Sequence, residues 1–160
     1  MKKIDWCKKQ KFGIKLIEPN NNLSEEYFEN AEESLKVLRS IKETKSNMWL
    51  ATTKYYIEYF AVYSILMKIG IKCEIHDCTI ALVNFLENQN IVKEGTAERL
   101  EDDKELRIDN QYYLKNKQVD ITVSQLIKKE EELMKHKYKD YLYENYYFIY
   151  PLCKIISEYC

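Results

Sequence analysis

Glycine and proline are scarce in this sequence, with three glycines and two prolines in 160 residues. Turn-rich β-sandwiches and α/β folds use glycine where the backbone must turn sharply. The shortage therefore points away from them, toward long helices with short connections. An excess of charge of one sign is also missing. With 25 basic residues against 26 acidic ones, no overall electrostatic footprint for nucleic acid exists, and only a local patch could supply one. Long apolar runs are missing as well. The longest stretch is interrupted by Ser64 and Lys68, short of the ~20 residues that span a bilayer. The opening segment "MKKIDWCKKQKFGIK" is basic but lacks the apolar centre of a signal peptide. Five cysteines, an odd number without framework spacing, fit free thiols in a reducing compartment. A cytoplasmic protein with no membrane contact is expected. Its length allows one domain with a substantial core.

What is present is helical periodicity. Residues 1–22 read as an irregular lead-in ending in the loop "EPNNN". From about residue 23, "LSEEYFENAEESLKVLRSIKET" carries Ala31, Leu35, Leu38 and Ile41 at helical spacing, with Asn22 or Ser24 as the cap. A second helix is expected over 47–69, ending at Gly70. Its stripe of Met48, Ala51, Tyr55, Tyr59, Val62 and Leu66 is widened by Tyr56, Phe60 and Tyr63, which marks a central helix with several neighbours. Further helices are expected over 75–88 and 97–115, separated by "NIVKEGT" with Gly95 as the breaker. Thr122 and Gln125 resemble a capping box opening a fifth helix, and Pro151 demands a kink or break near Tyr150. The expected fold class is all-α, an up-and-down bundle of four to five helices spanning 23–145, with residues 146–160 as a helical extension packed on it.

"CEIHDC" places Cys73, His76 and Cys78 within six residues. A closed structural zinc site needs four ligands, and the paired spacing of zinc fingers is missing. Buried thiols are the ordinary reading of such cysteines, so no metal and no cofactor is expected. His76 starts a helix, where a neutral imidazole is acceptable and a cation is not, which suits an orienting or capping role. The aromatic tail "YKDYLYENYYFIY" has few basic partners, and packing explains it better than stacking on RNA.

Several of these features occur in a familiar order: "AEESL", Trp49, "KYYIEYFAVYSILMKIGIK", "HDCTIAL" and then "LEDDKELRIDNQYYL". Over about residues 24–145 the chain resembles the HEPN family of small prokaryotic helical bundles. The resemblance implies a HEPN-type bundle, usually a homodimer. It often works beside a small nucleotidyltransferase in toxin–antitoxin pairs, and some members are RNases. Those RNases carry an arginine, four to six residues, then a histidine, which supply a cation for the phosphate and a proton acceptor for the 2′-hydroxyl. Here Arg107 is followed by "IDNQ" and then Tyr112, so a tyrosine occupies the histidine position. Neither His76 nor His136 has the arginine at the required spacing. A tyrosine with a pKa near ~10 is a poor base at neutral pH.

The candidate ligand-binding residues are Arg107, Asp109, Tyr112, Tyr113 and His76. Arg107 could hold a phosphate while a tyrosine stacks on a base. The structural alternative pairs Arg107 with Asp103, four residues earlier, and packs the tyrosines at a dimer seam. The expected function is a HEPN-like module without the usual RNase motif, leaning to a non-enzyme. It would bind a protein partner such as a nucleotidyltransferase, and a nucleotide or RNA near Arg107. The alternatives are a metal-independent RNase using Arg107 with Tyr112 or Tyr113, and a purely structural interaction module.

Overall fold

The helices begin where the sequence can satisfy their first amides. Helix α2, Asn21–Ile41, is capped by Asn20, whose side-chain oxygen accepts the Leu23 amide at 2.9 Å. The cap thus falls before Asn22 and Ser24. Ser24 lies inside the helix and donates to the Ser64 carbonyl at 2.8 Å, satisfying a buried hydroxyl. A short 3-10 turn, Lys42–Thr44, leads through Lys45, in the left-handed region, to helix α3, Asn47–Lys68. Ala31, Leu35 and Leu38 of α2 are buried, and α2 packs on α3. Buried residues of α3 include Leu50, Tyr55, Ile57, Tyr59, Tyr63 and Met67, on more than one side of the helix, as its wide apolar face predicts. Helix α4, His76–Asn88, and helix α5, Thr96–Gln111, complete the core, with α5 packing on both α3 and α4.

The chain divides after Val119 into two units, and the computed structural model describes residues 4–119. The described part is mainly helical, with five helices and a two-stranded sheet, which agrees with the all-α class. The expected helix from Thr122, the break near Pro151, the 146–160 extension, the aromatic tail and His136 lie outside the described residues.

Within the expected irregular lead-in, the described residues 4–20 carry two short regular elements. Ile4–Lys8 form helix α1, and Lys15–Leu16 form strand β1. Strand β1 pairs antiparallel with β2, Ile71–Lys72, placing Lys15 opposite Lys72 and Leu16 opposite Ile71. The link expected after Gly70 is thus partly a strand. Gly70 has φ +77°, and a side chain there would come within 2.5 Å of the Ile17 carbonyl. The close approach of two backbones therefore requires glycine independently of the helix end. Cys7 and Ile14 are buried, so this segment contributes to the core.

A second correction concerns the thiols. Cys7 of α1 is disulfide-bonded to Cys78 of α4, joining residues 71 apart in sequence. Among the described cysteines only Cys73 is free, and it is buried. The expectation of free thiols fails for this pair and holds for Cys73. Among the described residues, no helix is long and apolar enough to cross a membrane.

Candidate functional site

The site is built on α3, whose aromatic stripe meets the first turn of α4 and one face of α5. Tyr55 is fully buried, with its ring against Tyr56 and Tyr59 at centroid distances of 5.4 and 5.6 Å. A buried tyrosine carries a hydroxyl that needs a partner. For Tyr55 that partner is Nδ1 of His76, the first residue of α4. The His76 ring lies 4.4 Å from that of Tyr59 and 5.7 Å from that of Tyr55. From α5, the Arg107 guanidinium lies 4.9 Å from the Tyr55 ring centre and 5.6 Å from that of Tyr56. Its Nη1 makes a long hydrogen bond of 3.4 Å to the Tyr56 hydroxyl. Its Nε is buried and has no hydrogen-bond partner among the described residues.

The carboxylates nearby are engaged by other cations. Asp103 accepts from Lys54 at 2.7 Å, which corrects the expected Asp103–Arg107 pair. Both residues lie on one face of α5, but Lys54 of α3 reaches that carboxylate. Lys104 bridges Asp77 at 2.8 Å and Glu101 at 2.7 Å. Burial alone would lower the Lys104 pKa, but these two hydrogen bonds outweigh it and hold the ammonium above its ordinary range. Arg107 thus stands beside aromatic faces. Cation–π attraction holds it there, and no carboxylate among the described residues forms an ion pair with it.

Electrostatics keep the ring neutral. Burial is the largest influence lowering the His76 pKa, followed by the charges of Arg107 and Lys104, while Asp77 opposes them. Burial also drives Tyr55 well above the usual phenol range, and Tyr59 up to about 12. These phenols remain protonated at physiological pH.

A pH dependence follows from the lowered His76 value. Between the folded pKa and the unfolded value near ~6.5, the unfolded chain binds the proton more readily. The stability from neutral His76 is therefore complete above the unfolded value and is lost as pH falls toward the folded one. Urea midpoints at about pH 7.5 and about pH 5.5 should differ more in wild type than in His76→Gln. An equal difference in both proteins would contradict this assignment.

The candidate residues divide into two groups. Arg107 and His76 share the ring of Tyr55. Asp109 instead pairs with Lys115 at 2.8 Å and Lys117 at 2.5 Å, which holds its pKa below the usual carboxylate range. Helix α5 ends at Gln111, short of the expected Lys115, so Tyr112 and Tyr113 follow it as exposed residues. Tyr113 lies under Lys115, and the rings beneath the Arg107 guanidinium are those of Tyr55 and Tyr56.

The zinc trio is also committed elsewhere. Cys78 is bonded to Cys7, His76 Nδ1 to Tyr55, and the Cys73 thiol donates to the Ile75 carbonyl at 3.5 Å. Among the described residues, no group of three His, Cys, Asp or Glu side chains could hold a metal ion.

The site residues missed from sequence are Tyr55, Tyr56 and Tyr59, which periodicity alone marks as core. Their hydroxyls were the available signal, because a run of tyrosines in a buried stripe needs polar partners. No family model, curated protein or solved structure matches this chain.

Proposed function

We propose that this chain is a HEPN-type bundle that retains the family's arginine, lacks its histidine at the motif position, and serves as a non-catalytic module binding a nucleotide or RNA through phosphate. The observation that carries the reading is Arg107. Its guanidinium lies over Tyr55 and Tyr56, and the neighbouring carboxylates Asp103 and Asp77 pair with lysines. A guanidinium that no carboxylate among the described residues pairs with, beside aromatic faces, suits an anion carried on a flat base. In this reading the bundle also forms a homodimer and docks a protein partner, for which the resemblance implies a nucleotidyltransferase. The exposed rings of Trp6, Phe12 and Trp49 supply apolar surface for such contacts.

Fluorescence anisotropy with a labelled single-stranded RNA, in parallel with competition by AMP, tests the ligand. Arg107→Ala should weaken binding about 10- to 100-fold, the effect of losing a charge-assisted hydrogen bond to phosphate. Equal binding by wild type and Arg107→Ala would remove Arg107 from the site.

A further inference from the structure

We propose that His76 is a second ligand-binding residue of the Arg107 site, presenting its Nε2–H as a fixed donor to an oxygen of the phosphate that Arg107 holds. The inference rests on the phosphate-binding reading above and adds a residue outside the arginine motif.

The proton is placed by the hydrogen-bond needs of Tyr55. The Tyr55 side chain is fully buried, and among the described residues its hydroxyl has one hydrogen-bond partner, His76 Nδ1. A buried phenol that fails to donate bears the desolvation cost of an unsatisfied O–H. Tyr55 therefore donates, Nδ1 accepts, and the neutral ring carries its proton on Nε2. The opposite tautomer would point two hydrogens at each other or leave the Tyr55 hydrogen without an acceptor. Ring contacts with Tyr55 and Tyr59 restrict the imidazole's tilt, so the donor is held in place before any ligand arrives.

No group among the described residues bonds Nε2, and the ring is half-buried. The charged groups acting on this imidazole are Arg107 and Lys104, with Asp77 as the opposing carboxylate. Asp77 is engaged by Lys104. The local field thus favours an anion, and the donor set of imidazole N–H and guanidinium is the chemistry of a phosphate clamp. The same tautomer has a chemical consequence. A ring nitrogen that already bears hydrogen cannot accept the proton of a 2′-hydroxyl, so His76 does not substitute for the missing RNase histidine.

Two substitutions separate the ends of the ring. A glutamine amide can reproduce the Nε2–H donor, whereas asparagine reaches only as far as the Nδ1 position. In RNA anisotropy with the full chain, His76→Gln should stay within about threefold of wild type, and His76→Asn should lose about tenfold. A structural role confined to holding Tyr55 predicts the reverse order and overturns the proposal. A long-range ¹H–¹⁵N spectrum of wild type needs no variant and should show His76 protonated at Nε2, with that signal moving when the RNA is added. Protonation at Nδ1, or an unmoved signal despite RNA binding, also overturns it. RNA binding that requires Arg107 yet is equal in both His76 variants removes only this inference. Absence of RNA binding by wild type removes the underlying reading with it.

Discussion

Lys54→Met should destabilise the protein by about 3–5 kcal/mol, a large share of the 5–15 kcal/mol typical of a domain. The side chain of Asp103 is 4% exposed, and one of its oxygens pairs with Lys54 at 2.7 Å. The second, Oδ2, is buried and has no hydrogen-bond partner among the described residues. Removal of Lys54 therefore leaves the buried Asp103 side chain without its ion-pair partner. The cost comes from the abandoned charge more than from a loss of net attraction, so removing both groups should restore most of the stability. In urea unfolding, Lys54→Met/Asp103→Leu should recover most of what Lys54→Met loses. Additive losses in the double variant would contradict this account of the pair.

Loss of the Cys7–Cys78 bond should cost about 2–4 kcal/mol. The bond closes a loop of 71 residues between α1 and α4, so the unfolded chain gains considerable freedom when it is cut. Both cysteines are completely buried, and the freed thiols must fit within the packed interior. Wild type under a reductant and Cys7→Ala without one should unfold at similarly reduced urea midpoints. Unchanged stability of wild type on reduction would contradict a stabilising bond. The backbone bonds from Ile17 to Gly70 and from Glu74 to Phe12 remain after reduction. The lead-in is therefore held at other points, which sets the expectation below the upper limit for such a loop.

The long helices were legible because their apolar stripes extend over several turns. Residues 47–69 showed both the length of α3 and its burial on several sides, and Gly70 ended it as expected. The lead-in was not legible. A five-residue helix and a two-residue strand are too short to show a period, and the pairing of Lys15 with Lys72 depends on contacts distant in sequence. The disulfide was hidden for the same reason, since an odd number of cysteines leaves the pairing open.

At the site, Arg107 and His76 were each visible as chemistry-bearing residues, but their meeting across Tyr55 was not. It depends on how α3, α4 and α5 pack, and helix periodicity cannot specify a contact between residues 31 positions apart. The expected Asp103–Arg107 pair illustrates the limit. Spacing placed both on one helix face, and Lys54 of a different helix took the carboxylate.

In the proposed function Arg107 anchors a phosphate without supporting cleavage. Incubation of total cellular RNA with purified protein in EDTA, wild type beside Arg107→Ala, tests it most directly when the same preparations are assayed for RNA binding. RNA should stay intact in both samples, with binding by wild type that Arg107→Ala loses. Cleavage by wild type that disappears in Arg107→Ala would contradict it and make the arginine catalytic.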